Sequence, residues 1–148
     1  MHLGPVKSAL DLSEDKWETT FRTNLTGSWL VSKYVSRQMI SFNQRGSIIN
    51  MSSISGVNCT HSPGSVAYAC SKSAFNTMTQ VMSMELANHK IRVNSICHGI
   101  FKSEITEMLI QKKWLKNVVS KTVPLREYGT TDPALTSMVR YLMHDSSN

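Results

Sequence analysis

The sequence predicts an α/β fold organised on a parallel pair of strands joined by a helix. Three observations predict it. Ser47-Ile48-Ile49-Asn50-Met51-Ser52 reads as a short buried strand. Residues 66–87 carry Ala67, Ala74, Phe75, Met78, Val81, Met82 and Leu86 at helical spacing, with small residues that let another helix approach closely. Ile91-Arg92-Val93-Asn94-Ser95-Ile96-Cys97 reads as a second strand. Strand, helix, strand in that order implies a parallel pair with a right-handed crossover.

Taken in order, the chain opens with one long helix over 11–42. Ser13 is its candidate N-cap, and Glu14 and Asp15 fall in the first turn, where acidic side chains suit the helix dipole. Trp17, Phe21, Leu25, Ser28, Ser32, Val35 and Met39 form one stripe at helical period, with Asn24 beside it. Asn43-Gln44-Arg45-Gly46 breaks the helix before the first strand. A loop then runs from Ser53-Ile54-Ser55-Gly56 through Pro63-Gly64 to the second helix, which Asn88-His89-Lys90 ends. His98-Gly99 closes the second strand, residues 104–118 read as an amphipathic helix, and Pro124 and Gly129 mark a loop. Thr131-Asp132-Pro133 opens a last helix to about Met143, with a capping residue ahead of a first-turn proline.

At 148 residues the chain is long enough for one domain with a core, and its hydrophobic fraction of 41% fits a soluble globular protein. No apolar run reaches the length of a membrane-spanning helix. The start, Met1-His2-Leu3-Gly4-Pro5, has neither the basic flank nor the apolar core of a secretory signal. Cys59, Cys70 and Cys97 show no metal spacing, and neither do His61, His89 and His98. Reduced thiols and a cytoplasmic location are the expectation. The net charge is +6, but the basic residues are dispersed, the tightest group being Lys112-Lys113 with Lys116. Nucleic-acid binding asks for a patch, preferably with aromatics; a solvated basic surface fits better, and attraction to an anionic cofactor or substrate is compatible.

The chemistry is expected at Tyr68-Ala69-Cys70-Ser71-Lys72. Tyr68 and Lys72 stand at i and i+4, one turn apart on a helix face. A free phenol has a pKa of about 10, too high for ready proton exchange at neutral pH. A neighbouring ammonium stabilises the phenolate and lowers that value, which would make Tyr68 a usable general acid or base. Tyr and Lys at this spacing also occur on ordinary solvated helix faces, so the pair alone identifies nothing.

Four segments in order give the pair its context: Asn24-Leu25-Thr26-Gly27, Gly46-Ser47-Ile48-Ile49-Asn50-Met51-Ser52-Ser53, Tyr68-Ala69-Cys70-Ser71-Lys72 and Ile91-Arg92-Val93-Asn94-Ser95-Ile96. In this set the chain resembles the short-chain dehydrogenase/reductase superfamily, and is most similar to plant members related to 3-oxoacyl-[acyl-carrier-protein] reductase. The resemblance runs from about Leu10 to the C-terminus. It implies a Rossmann-like, doubly wound parallel sheet and a catalytic tetrad of Asn24, Ser53, Tyr68 and Lys72. Tyr68 would exchange a proton with the substrate oxygen. Lys72 would lower the Tyr68 pKa and hydrogen-bond the nicotinamide ribose. Ser53 would hold the carbonyl at the strand's end, where open α/β sheets bind ligands; Ser52 is an adjacent rival. Asn24 would interrupt regular bonding in the long helix and hold a water that links Lys72 to solvent. After the second strand the family usually has Pro-Gly and then a Thr facing the nicotinamide; here His98-Gly99 and Ser103 stand in those places. Ser103 can make the same hydrogen bonds, whereas His98 lacks proline's fixed φ and adds a titratable ring.

The resemblance further implies NADP(H), with NAD(H) as the other cofactor, a small-molecule carbonyl or alcohol substrate, and homo-oligomers formed through helices 13–42 and 66–87. The family's TGxxxGxG phosphate loop does not occur in the 148 residues, nor does its final strand. The expectation is therefore one partial nicotinamide-binding domain over 1–148, the catalytic half. Its N-terminal cofactor-binding half and last strand would be missing through an incomplete gene model or a splice variant. A parallel strand left without a neighbour exposes hydrogen-bonding and apolar surface, so a marginal, oligomeric or aggregation-prone chain is expected. Two functions stand: hydride transfer between nicotinamide and a ketone, 3-oxoacyl group or secondary alcohol, and a non-catalytic fragment that associates with a full-length relative.

Overall fold

In the computed structural model β1 (Gly46–Met51) and β2 (Ile91–Ile96) pair in parallel along their whole length, from Gly46 opposite Ile91 to Met51 opposite Ile96. The structure describes residues 6–58, 63–104 and 106–147. Cys59, His61 and the start at Met1-His2-Leu3-Gly4-Pro5 lie outside them. The chain falls into two units, Met1–Cys97 and His98–Asn148.

In the first unit, α1 (Glu14–Phe21), a π-helical turn (Arg22–Thr26) and α2 (Gly27–Ser41) follow one another as a single irregular rod ahead of β1. α3 (Val66–Leu86) is the crossover between the strands, and a 3₁₀ turn ending at left-handed Lys90 leads into β2. Met82, Ile91 and Val93 form the core, with Met39, Ile48, Met78 and Leu86 packed against them. This is the expected strand, helix, strand order, with α3 lying across the sheet.

The long helix differs from expectation in its buried side. Trp17 and Val35 of the anticipated apolar stripe are exposed. The buried positions are Thr20, Asn24, Ser32 and Ser36, with Ser28 half-buried between them. The seam is thus a row of small and polar side chains at a spacing of four. Small residues let backbones approach closely, and α1 and the π turn are packed against α3. Ser13 precedes α1 in extended conformation, and its carbonyl, not its side chain, takes the first helical bonds from Lys16 and Trp17.

In the second unit, β3 (Phe101–Lys102) pairs in parallel with β4 (Gly129–Thr130), a short ladder the sequence pattern did not suggest. The helix expected over 104–118 is two helices, α4 (Glu107–Ile110) and α5 (Lys113–Thr122), with Leu115 and Val119 the buried pair on α5. The residues between them break the rod: Lys112 is extended at φ −70°, ψ 128°. The last helix also begins late. Asp132 is extended, its carboxylate accepts from the Thr136 hydroxyl, and regular α-helix, α6, runs over Thr136–Met143. No helix among the described residues is long and apolar enough to cross a membrane.

Candidate active site

Tyr68 and Lys72 both lie in the first two turns of α3, and both are buried. The ammonium of Lys72 donates to the carbonyl of Met51, the last residue of β1, at 2.9 Å. It stands 5.0 Å from the centre of the Phe75 ring and 6.0 Å from that of Tyr68. Lys72 therefore fastens the start of the crossover helix to the tip of the strand beneath it.

Ser53 follows that tip in extended conformation, φ −155°, ψ 150°. Its hydroxyl accepts from the Ser55 N–H at 3.2 Å, which caps a 3₁₀ turn at Ile54–Gly56. The same hydroxyl is hydrogen-bonded to the Tyr68 phenol. The adjacent rival is thereby distinguished: the Ser52 hydroxyl is wholly buried, has no hydrogen-bond partner among the described residues, and its backbone N–H extends the ladder to Ile96. Alternation along an extended chain sends neighbouring side chains to opposite faces, so only one of the two serines meets the tyrosine.

Burial pushes the Tyr68 phenol above its ordinary value, and the Ser53 hydroxyl pulls it part of the way back. This corrects the expectation that Lys72 sets the phenol low. The ammonium is directed to the Met51 carbonyl, and loss of solvent disfavours the phenolate more than the site's donors favour it. Burial also pushes Lys72 down, opposed in part by the electrostatic influence of Cys97.

Asn24 sits inside the π turn and is buried. Regular bonding in the long helix is interrupted there, as expected. Its side-chain amide donates to the Ser71 hydroxyl at 3.2 Å, and that hydroxyl donates to the backbone carbonyl of Tyr68 at 2.8 Å. Its own backbone carbonyl accepts from the Ser28 hydroxyl at 2.9 Å. Asn24 thus reaches the site through Ser71.

The other expected cofactor residues lie in the second unit. His98 Nδ1 is 2.7 Å from the Gly99 carbonyl, which can only accept, so Nδ1 carries the proton. The His98 ring stands edge-on to Phe101 at 5.7 Å. At Gly99 a side-chain carbon would meet nothing within 4 Å, so space does not demand glycine there. Ser103 is exposed, with both its N–H and its hydroxyl 3.0 Å from the Thr106 hydroxyl oxygen. Asn24, Ser53, Tyr68 and Lys72 are brought together in one unit; His98, Gly99 and Ser103 form a turn in the other.

Two residues of the site were not anticipated. Ser71 joins Asn24 to α3, and its signal was its place between Tyr68 and Lys72, i+3 from the tyrosine. Gly56 ends the turn after Ser53; its carbonyl accepts from Ser73 on α3 at 2.9 Å. A glycine three residues beyond a strand-end serine signals close backbone approach.

A family model described as short chain dehydrogenase matches residues 3–114. The chain belongs to the short-chain dehydrogenase family. Among its relatives in that family, (3R)-3-hydroxyacyl-CoA dehydrogenase of Mus musculus is 33% identical over 138 residues, 93% of this chain and 51% of that protein. The uncharacterized oxidoreductase YohF of Escherichia coli strain K12 is 32% identical over 139 residues, 94% of this chain and 53% of that one. The chain spans about half the length of the curated relatives it matches. Solved structures agree on the Rossmann-like α/β fold. A 4-hydroxyisoleucine dehydrogenase complexed with NADH superposes with a TM-score of 0.91 at 28% identity, covering 99% of this chain and 59% of that one. A gluconate 5-dehydrogenase from Burkholderia cenocepacia J2315, in complex with NADP and tartrate, does so at 0.90 and 25%, covering 99% and 56%.

Proposed function

We propose that these residues are the proton-transfer half of a nicotinamide-dependent oxidoreductase acting on a ketone, 3-oxoacyl group or secondary alcohol. One observation carries the reading: a buried phenol bonded to a strand-end hydroxyl, with a buried ammonium one helical turn along. When bound, the nicotinamide supplies or accepts the hydride. Tyr68 gives its proton to the substrate oxygen as that oxygen gains charge, and takes it back in the alcohol-oxidising direction. Ser53 holds the same oxygen. A phenol held high by burial stays protonated at neutral pH, which suits the reducing direction.

The residues fit the nicotinamide end of the cofactor. An ammonium has three donors, and the Met51 carbonyl takes one from Lys72, so Lys72 has donors to offer a ribose. In the second unit, Ser103 with His98 and Gly99 is proposed to meet the nicotinamide itself. TGxxxGxG does not occur in this sequence, so the residues at hand account for the nicotinamide end alone, and 1–148 is read as the catalytic part of one domain. NADP(H) is the proposed cofactor on family resemblance, with NAD(H) the alternative; of the two similar structures above, one holds NADH and the other NADP.

Large apolar side chains stand exposed on the long helices, Trp29, Val31, Tyr34 and Val35 on α2 and Val81 and Met84 on α3. Covering them calls for a second subunit, so a homo-oligomer through these helices is part of the proposal. The same surface favours a second reading: a non-catalytic chain that associates with a full-length relative.

Titration with NADPH, followed by cofactor fluorescence, separates the two. Binding that weakens in Lys72→Ala supports the oxidoreductase. No binding at millimolar cofactor by a folded chain supports the interaction protein.

A further inference from the structure

Ser71 is wholly buried on α3, between Tyr68 and Lys72. Its hydroxyl donates to the Tyr68 carbonyl at 2.8 Å and accepts from the Asn24 amide at 3.2 Å. A hydroxyl has one proton; with that proton given to Tyr68, only lone pairs face Asn24. The two bonds therefore run in one sense, from the π turn to the tyrosine's own backbone.

We propose that Ser71 is a positioning residue for Tyr68: it ties the irregular turn of the long helix to the tyrosine's backbone and so fixes the approach of the phenol to Ser53. The proposal rests on Tyr68 as proton donor and deepens that reading. A serine bonded back to its own helix is by itself a local matter. The second bond distinguishes Ser71, because it comes from another element 47 residues away in sequence and is buried. A π turn within an α-helix is uncommon and often marks a functional site. Here it carries the residue that reaches Ser71.

The phenol's partner belongs to neither helix. Ser53 sits beyond β1, so its bond to Tyr68 holds only while α3 keeps its register against the strand end. Hydrogen bonds weaken steeply as their angle opens. Loosening α3 at Tyr68 would weaken the Ser53 bond first, and burial alone would then govern the phenol.

The test uses the 148-residue chain with ring-fluorinated tyrosine, which brings phenol titration toward neutral pH and gives each of the four rings its own fluorine signal. Tyr→Phe variants assign the signals. Ser71→Ala is expected to raise the Tyr68 titration midpoint by about 0.5–1 pH unit, the worth of one hydrogen bond. Tyr34 and Tyr141 should not move. Ser71→Thr, which keeps the hydroxyl, should restore the midpoint. Asn24→Ala breaks the same link from its other end and should give the same rise, with the double variant adding nothing; it carries the test if Ser71→Ala does not fold. An unmoved Tyr68 midpoint in these variants, with only thermal stability lowered, overturns the proposal. No cofactor or substrate enters the measurement, so its outcome is separate from that of the NADPH titration.

Discussion

A side-chain carbon on Gly56 would stand 2.7 Å from the backbone carbonyl carbon of Lys72 and 2.8 Å from its oxygen. The turn after Ser53 therefore rests directly on the backbone of α3, at the residue whose ammonium holds the end of β1. Backbone cannot yield as a flexible side chain can. Gly56→Ala should cost about 1–3 kcal/mol, as other overpacked sites do, and should displace Ser53 from Tyr68. Chemical denaturation measures the first effect, and the Tyr68 phenol titration reads the second. An alanine variant as stable as the parent would contradict the close approach.

Lys72 carries a stability consequence with a definite sign. Burial sets its pKa below the ordinary 10.5. Its contribution is therefore complete above 10.5 and is lost as pH falls through the lowered value. Tyr68 acts oppositely: with a pKa raised above 10.0, its contribution is complete below 10.0 and is lost as pH rises through the raised value. In a Tyr68→Phe background, the denaturation midpoint should climb with pH toward 10.5. In Tyr68→Phe/Lys72→Met that climb should vanish. The difference between the two pH curves is the measurement, since every other titrating group is shared.

Tyr68→Phe removes the phenol without emptying its space. Where carbonyl reduction is measured, it should lower kcat by about 10²–10⁴-fold, the usual worth of a positioned general acid. Folding should change by about 1 kcal/mol or less, one hydrogen bond being lost. A variant that retains full turnover would remove Tyr68 from the reaction.

The Asn50 amide donates to the Thr79 hydroxyl at 2.9 Å across the buried contact between β1 and α3. Thr79→Val keeps the shape and deletes the acceptor. It should cost about 1–3 kcal/mol, because the Asn50 amide is left buried and unpaired. Asn50→Val added to it should recover part of that loss, which a double-mutant cycle in denaturant would register.

The sequence disclosed the parallel pair because the strands and the crossover helix each carry an undiluted local pattern. Val66 to Leu86 was legible nearly to the residue; Tyr68 and Lys72 were singled out by their helical spacing, and Ser53 by the family resemblance. The buried side of the long helix was legible only in part: Ser28, Ser32 and Met39 of the expected stripe lie inward, while Thr20 and Ser36 were missed. Hydrophobic period seeks large apolar side chains, whereas this seam is Thr20, Asn24, Ser32 and Ser36, and Trp17 and Val35 face outward. The break at Lys112 was hidden for a related reason: Lys and Gln favour helix locally, and tertiary context overrode that preference. The direction of the Tyr68 shift was missed because spacing reports which charge is near but not how much water has been excluded.

The wide turn at Arg22–Thr26 also sets the phase of everything that follows it. An α-helix advances about 100° per residue, and the π turn takes up one extra residue without passing that advance on, so deleting a single residue there would heal the helix into regular form and leave α2 facing as it does. Deleting a residue just after the turn, within α2, would instead swing the rest of the helix by roughly 100° and carry Ser32 and Ser36 out of the interior. The same loss of one position is thus absorbed at one place in the rod and displaces a buried seam at the next.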